Sequence, residues 1–189
     1  MPNRFFITGL PRSRTAWMAS FMTAGKAVCL HEPRNWEHLW LENAYFPVNG
    51  KTPGKISHIG ISDSGLGFQL QNIIDTYAPR VLIIDRPIDE VEASLAALKT
   101  GLPRTNFCEI LHKSLAGFNS GEKGILRVPY HLLSDMRTMQ KIFWHLTPGE
   151  AFDEGRFLMM KDINIQADVR TAVNYLATHY SIPRTVIAT

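Results

Sequence analysis

Short apolar runs alternate along this chain with longer segments of helical period. Such alternation is typical of βαβ units, which build a parallel sheet with helices packed against it. A near-continuous apolar run such as VLII at Val81–Ile84 is typical of a strand covered on both faces. The pattern therefore predicts an α/β fold with a three-layer αβα architecture around a central five-stranded parallel sheet.

The apolar runs and the segments between them give the expected elements. We expect strands at Arg4–Thr8, Lys26–Leu30, Ile56–Ser62, Arg80–Asp85 and Gly124–Val128. We expect helices at about Arg14–Ala24, Asn35–Ala44, Gly67–Tyr77, Ile88–Lys99 and Thr105–Phe118, from near His131 to before Pro148, and at about Ala167–His179. The Gly- and Pro-rich stretch Phe46–Lys55 and the segment Thr100–Arg104 are expected to be loops.

The length and composition indicate one domain with a core of its own. The chain has 189 residues, of which 45% are hydrophobic and 20% are charged, and this is ordinary for a globular protein. We expect a single domain over residues 1–182 and a loose tail over residues 183–189. The formal net charge of +3 fits a small anionic ligand, but it is too small to indicate nucleic acid. The sequence does not predict an oligomeric state.

The remaining bulk features favour the cytoplasm. Cys29 and Cys108 lie far apart without metal-ligand spacing, so we expect reduced thiols and no metal site. No apolar run approaches the roughly 18 residues of a membrane span, so no membrane partner is expected. The amino terminus begins a strand almost at once, which leaves no room for a signal peptide.

Functional residues are expected beyond the carboxyl ends of the parallel strands, near the switch point of the sheet. This rule nominates five segments, Gly9–Thr15, His31–Arg34, Asp63–Gly67, Arg86–Ser94 and Pro129–His131.

The first of these segments, GLPRSRT, joins the first strand to a helix. A junction of this kind directs backbone N–H groups and the positive end of a helix at one point, which binds anions. The hydroxyls of Ser13 and Thr15 add donors, and the Arg12 guanidinium matches phosphate or sulfate oxygens. The loop is not a Walker A sequence, because Thr15 stands where the lysine belongs and Ala16 where the magnesium-binding hydroxyl belongs. The alternative is an ordinary βα turn with surface arginines.

The sequence GLPRSRTAW at Gly9–Trp17 resembles the 5′-phosphosulfate loop of sulfotransferases that use PAPS (3′-phosphoadenosine 5′-phosphosulfate), which has the pattern G-x-P-[KR]-S-G-T-[TS]-[WL]. The resemblance implies a P-loop NTPase-like fold of the sulfotransferase type. It also implies that the cofactor is bound by Gly9, Pro11, Arg12, Ser13, Arg14, Thr15, Ala16 and Trp17. In this chain Arg14 replaces the glycine of the pattern and Ala16 replaces a hydroxyl residue.

A second segment, VLIIDRPIDEVEASL at Val81–Leu95, is similar to the 3′-phosphate segment of the same family. The resemblance assigns Arg86 and Ser94 to the 3′-phosphate of PAPS or of adenosine 3′,5′-bisphosphate. Arg86 ends a strand and Ser94 lies about two turns into the next helix, so both can face one phosphate. The alternative is that Arg86 forms an ion pair with Asp89 or Glu90 at the start of that helix.

Sulfuryl transfer needs an aligned acceptor, a base for its proton and a cation near the departing phosphate. Arg12 would supply the cation. The base is expected at the end of the second strand, where His31 and Glu32 both remain candidates because family members differ at this place. Asp63, which ends the third strand, and Trp36 are candidates for contact with the acceptor. For Asp63 the alternatives are helix capping and, in a kinase, a Mg²⁺ ligand.

Three functions are compatible with these residues. The leading one is a sulfotransferase-like enzyme that moves a sulfuryl group from PAPS to a small hydroxyl or amine acceptor. The second is a P-loop nucleotide kinase or hydrolase that uses ATP and Mg²⁺. The third is a non-catalytic nucleotide-binding protein on the same fold, because the glycine-rich basic segment that the family carries near its carboxyl terminus has no convincing counterpart here. The nearest basic residues are Arg156 and Lys161.

Overall fold

The computed structural model describes residues 2–33, 36–41, 56–97 and 106–163. Its strands are β1 (Asn3–Gly9), β2 (Ala27–His31), β3 (His58–Ser62), β4 (Arg80–Asp85) and β5 (Ile125–Pro129). Its α-helices are α1 (Thr15–Met22), α2 (Trp36–Leu41), α3 (Leu70–Tyr77), α4 (Ile88–Ala96), α5 (Phe107–Ala116), α6 (Met136–Leu146) and α7 (Glu154–Met160). Short 3₁₀ helices span Gly65–Gln69, Glu122–Gly124 and Tyr130–Ser134. Among the described residues, no helix is both long enough and apolar enough to span a bilayer.

The five strands form one parallel sheet in the order β2-β3-β1-β4-β5. Ile7 of β1 pairs with Ser62 on one side and with Leu82 on the other, so β1 is the central strand. The predicted α/β fold with a five-stranded parallel sheet is therefore confirmed.

Both faces of the sheet are covered, because consecutive residues of a strand point to opposite sides. Phe5 and Ile7 of β1 pack in one apolar cluster with residues of α1, α6 and α7. Phe6, between them, packs in the other cluster with residues of α2, α3, α4 and α5. All three side chains are fully buried. The sheet is thus the middle layer of three.

The chain changes faces at β1, which determines where a ligand site is expected. Helix α1, which leads from β1 to β2, lies on one face, whereas the helices that follow β2, β3 and β4 lie on the other. In such sheets the connections from adjacent strands diverge at this point and leave a crevice beyond the strand ends. The loop after β1 therefore lies at the switch point.

The boundaries of some elements differ from those predicted. The helix expected over Gly67–Tyr77 begins as the 3₁₀ helix Gly65–Gln69, where the Asp63 carboxylate accepts a hydrogen bond from Leu66 N at 2.9 Å. The helix expected from His131 begins as a 3₁₀ helix, and α6 starts only after Asp135, whose side chain accepts from Thr138 N at 2.8 Å.

Helix α7 was not predicted from the sequence. The expected helix Ala167–His179, the tail 183–189 and the loops Phe46–Lys55 and Thr100–Arg104 lie outside the described residues.

Candidate functional site

The site begins where β1 ends and the backbone changes direction. A Cβ atom on Gly9 would lie 2.6 Å from the Ile84 carbonyl oxygen, so the close approach of β1 to β4 requires glycine here. Helix α1 starts at Thr15, and its first turn presents N–H groups that have no partner within the helix. The predicted junction of strand, loop and helix is therefore present, and a helix N-terminus of this kind favours negative charge beside it.

The loop has an unusual backbone for residues that are not glycine. Arg12 and Arg14 have φ angles of 67° and 62°, and Glu32, at the end of β2, has a φ of 46°. Only one other described non-glycine residue, Ala78, has a positive φ. Left-handed backbone costs about 1–2 kcal/mol for such residues, and strain of this kind concentrates at functional sites. Three of these four positions, Arg12, Arg14 and Glu32, lie beyond the carboxyl ends of β1 and β2.

Ser13 lies between the two strained arginines and is fully buried. Its hydroxyl oxygen forms no hydrogen bond within the described residues. A buried hydroxyl without a partner is costly, so a ligand that reached this loop would find a hydrogen-bond donor that the described residues do not use.

The two segments that resemble the sulfotransferase motifs meet in space. The Arg12 side chain donates from Nε to the Ser94 hydroxyl at 3.0 Å, across 82 positions of sequence. The Arg86 side chain donates from Nη1 to the Arg12 carbonyl oxygen. Partial burial lowers the pKa of the Arg12 guanidinium, and the charge of Arg86 lowers it further. Two cations held this close favour an anion beside them.

Arg86 also makes the alternative contact that the sequence allowed. Its Nε lies 3.3 Å from Glu90 Oε2, one turn along α4, and its guanidinium stacks on the Tyr130 ring at 4.2 Å from the centroid. The guanidinium has five N–H groups, of which Glu90 and the Arg12 carbonyl occupy two. The other three have no acceptor among the described residues. Arg86 therefore forms the ion pair with Glu90, and its remaining N–H groups could still donate to a phosphate.

A cavity of about 710 Å³ opens beside the loop. It is lined by Pro11, Arg12, Thr15, Ala16, His31, Glu32, Asp63, Ser64, Gly65 and Phe107. These residues come from the loop, from the ends of β2 and β3, and from the start of α5. The volume lies within the usual range for small-molecule sites.

The two candidate bases stand together against the loop. His31 Nε2 lies 3.3 Å from the Thr15 hydroxyl oxygen and 3.8 Å from Glu32 Oε1. Thr15 is fixed in turn, because the Ser62 hydroxyl donates to its carbonyl oxygen at 2.9 Å. The imidazole therefore has a defined position between Thr15 and the Glu32 carboxylate, which is a suitable arrangement for accepting a proton.

Seven predicted site residues are not among those that line the cavity, namely Gly9, Ser13, Arg14, Trp17, Trp36, Arg86 and Ser94. Trp36 is 8% exposed and packs on Trp40 and Tyr77, with ring centroids 5.5 Å away in each case, so it belongs to the core rather than to an acceptor pocket. Trp17 is buried and donates from Nε1 to the Met160 carbonyl oxygen at 2.8 Å.

Arg14 points to the carboxyl end of α7. It donates from Nη2 to the Lys161 carbonyl oxygen at 2.8 Å and lies over the Trp17 ring at 5.2 Å. Its guanidinium thus holds two distant parts of the chain together.

Sequence reasoning did not identify Phe107 as a lining residue. It begins α5 after a stretch outside the described residues, and no local pattern connects it to the end of β3. Ser64 and Gly65 belong to the segment Asp63–Gly67 that the sequence predicted, and both line the cavity. Within the described residues, no group of three histidine, cysteine or acidic side chains is placed to hold a metal ion.

Comparisons with known proteins add no family assignment. No protein-family model matches the chain, and no curated protein is significantly similar to it.

Proposed function

We propose that this protein is a sulfotransferase-like enzyme that takes a sulfuryl group from PAPS and passes it to a small hydroxyl or amine acceptor. The observation that carries the proposal is the hydrogen bond between Arg12 and Ser94, together with the bond from Arg86 to the Arg12 carbonyl oxygen. These contacts join the loop after β1 with Arg86 and Ser94, the pair that the resemblance assigns to a second phosphate. A nucleotide phosphorylated at both its 5′ and 3′ positions matches two such subsites.

The residues present fit this donor. Ser13 offers a buried hydroxyl without a protein partner, and the first turn of α1 offers backbone N–H groups at the same loop. The unengaged N–H groups of Arg86 and the hydroxyl of Ser94 would hold the 3′-phosphate. When bound, PAPS supplies a sulfuryl group attached to a phosphate that leaves readily.

The chain's own residues would then perform the remaining tasks. Arg12 would place its positive charge beside the departing phosphate, on which negative charge develops during transfer. Because the guanidinium already lies at the loop, this charge is stabilised without reorganisation of solvent. His31 would accept the proton of the acceptor at Nε2, where the acceptor hydroxyl would take the place of the Thr15 hydroxyl, since the unprotonated nitrogen has a single lone pair. Glu32 would stabilise the resulting imidazolium from 3.8 Å. The cavity walls would align the acceptor with the loop.

A thermal-shift comparison tests the donor. Adenosine 3′,5′-bisphosphate should raise the melting temperature well above the shift given by AMP or by ATP with Mg²⁺, since a ligand at a hundred times its Kd adds about 2.7 kcal/mol. Arg86→Ala should abolish most of the difference between the bisphosphate and AMP. A larger shift with ATP and Mg²⁺ would favour a kinase instead. Binding without any transfer would favour a non-catalytic protein.

A pair of variants separates the two candidate bases. His31→Asn should abolish transfer of labelled sulfate from PAPS and leave bisphosphate binding intact. Glu32→Gln should reduce the rate while some activity survives, because the imidazole still accepts the proton. The opposite ranking of the two variants would make Glu32 the base.

A further inference from the structure

We propose that Arg14 is a positioning residue, whose side chain keeps the loop after β1 in its ligand-binding shape by bonding to the end of α7. The inference rests on the proposed function, because this loop would receive the phosphosulfate group. The resemblance to sulfotransferases assigned Arg14 to the cofactor itself. The contacts of Arg14 give it a different task, and they make α7 important for binding although no residue of α7 lines the cavity.

Arg14 stands where the loop becomes a helix, in a backbone conformation that is unfavourable for an arginine. It is the residue before α1, and its carbonyl oxygen accepts from Met18 N at 2.9 Å at the start of the helix. Its φ angle of 62° lies in the left-handed region, which glycine adopts readily and residues with a Cβ atom do not. Contacts elsewhere in the protein must therefore hold Arg14 in this conformation.

The Arg14 guanidinium provides such contacts, and it provides them away from the cavity. Nη2 donates to the carbonyl oxygen of Lys161, the residue that ends α7, at 2.8 Å, and Nη1 donates to Ser134 Oγ at 3.4 Å. The last carbonyl groups of a helix have no partner within it, and positive charge beside them is favourable. The guanidinium also lies over the ring of Trp17, whose Nε1 donates to the Met160 carbonyl oxygen. The side chain is thus bound to three separate parts of the chain.

The residues on either side of Arg14 are those that would meet the ligand. Ser13 is fully buried with an unpartnered hydroxyl, and Thr15 begins α1 and lines the cavity. A change in the backbone at Arg14 therefore moves the Ser13 hydroxyl relative to the first N–H groups of α1. The other left-handed residue of the loop, Arg12, is held separately, because Arg86 donates to its carbonyl oxygen. Each left-handed residue of the loop thus has a contact that fixes it.

Loss of the bonds to α7 should reduce the fraction of molecules whose loop is ready to bind, and the apparent Kd rises as that fraction falls. Arg14→Ala removes the bonds to Lys161 and Ser134 but keeps a Cβ atom, so the left-handed conformation stays unfavourable and loses its support. Arg14→Gly removes the same bonds and the same charge, but glycine adopts a positive φ readily. A comparison of the two variants therefore separates the shape of the loop from the charge of the side chain.

Titration calorimetry with adenosine 3′,5′-bisphosphate tests the inference. Arg14→Ala should raise the Kd by about fivefold to thirtyfold, on the scale of the cost of a left-handed backbone. Arg14→Gly should bind within about threefold of the wild type. If the alanine variant does not fold, Arg14→Met takes its place, since it keeps a long side chain beside Trp17 without N–H donors. An unchanged Kd in both variants, or an equal rise in both, would overturn the inference.

Arg156→Ala is the matched control, because Arg156 also joins α7 to α1 through backbone carbonyl groups. Its Nη2 donates to the carbonyl oxygens of Ser20 at 2.7 Å and Thr23 at 3.2 Å, towards the carboxyl end of α1 and away from the loop. The control should lower Tm, as Arg14→Ala does, and leave the Kd unchanged. A rise in Kd like that of Arg14→Ala would show that any loosening of α7 weakens binding, and the role given to Arg14 would be wrong.

A second anion keeps the inference separate from the proposed donor. Inorganic pyrophosphate, which has no adenosine, is titrated against the wild type, Arg14→Ala and Arg14→Gly. If the bisphosphate does not bind, but pyrophosphate binds the wild type and the glycine variant more tightly than the alanine variant, the donor is refuted and the role of Arg14 stands. If the bisphosphate binds all three proteins equally, the donor stands and the role of Arg14 is refuted. If neither anion binds the wild type, both proposals fail.

Discussion

Removing the hydroxyl of Ser13 should stabilise the free protein and weaken its ligand binding. The side chain is fully buried, and its oxygen has no hydrogen-bond partner among the described residues. In the free protein no described residue compensates the burial of this hydroxyl, whereas in the proposed complex it would donate to a charged phosphate oxygen. The substitution Ser13→Ala therefore acts in opposite directions on the two states.

The magnitudes follow from burial and charge. An unsatisfied buried hydroxyl costs about 1–3 kcal/mol. Some packing is lost with the oxygen, so we expect a net gain of about 1 kcal/mol in the free energy of unfolding, or about 2–4 °C in Tm for a chain of this size. A hydrogen bond to a charged group contributes about 1.5–3 kcal/mol, so the Kd for adenosine 3′,5′-bisphosphate should rise roughly tenfold to 150-fold.

The assay is differential scanning calorimetry of the free protein, followed by titration calorimetry with the bisphosphate. Thr8→Val is the matched control, because Thr8 is also fully buried with an unpartnered hydroxyl, but it lies within β1 with its hydroxyl beside Gly67. It should raise Tm without changing the Kd. A lower Tm for Ser13→Ala with unchanged affinity would show that the hydroxyl serves the protein alone, and the reasoning would fail.

Three further predictions concern charge. Arg12→Ala should weaken bisphosphate binding by about 1.5–3 kcal/mol, the scale of a charge-assisted contact, and unchanged affinity in calorimetry would remove Arg12 from the site. Glu90→Gln should tighten bisphosphate binding by up to about fivefold, because it frees Arg86 of a half-exposed carboxylate, and an equal gain for AMP would contradict a role for Arg86 at the 3′-phosphate. Burial lowers the pKa of His58 and of His145 below 6.5 in the folded protein, so the unfolded chain takes up these protons first. Stability should hold above about pH 7 and decline as the pH falls through 6.5, and Tm measured from pH 7.5 to 5 should decline less steeply when either histidine is replaced by glutamine.

The sheet was predictable because its strands carry their own signal. A short, β-branched apolar run such as Val81–Ile84 fits a strand that is covered on both faces, and its four side chains are buried there. The loop after β1 was predictable for the same reason, since a glycine at a close strand contact and a helix start are local features. The rule that places ligands at strand ends then nominated His31, Glu32 and Asp63, which line the cavity.

What could not be predicted depends on contacts between distant parts of the chain. Helix α7 is only seven residues long, and it is held by bonds such as that from Arg156 to the Ser20 carbonyl oxygen at 2.7 Å. The sequence around Trp36 is compatible both with a residue that lines a pocket and with a core residue. Only its contacts with Trp40 and Tyr77 show that it packs in the core. Phe107 reaches the cavity through the packing of α5, which no spacing in the sequence reveals.

The contacts that Arg14 and Trp17 make with the end of α7 affect the order in which parts of the protein reach their final structure during synthesis. Arg14 and Trp17 donate to the last carbonyl groups of a segment that ends near Lys161, 147 and 143 positions further along the chain. Until those residues have been synthesised, both donors lack their acceptors and α1 lacks one of its neighbours. The residues after β1 are therefore synthesised long before the segment that completes their surroundings.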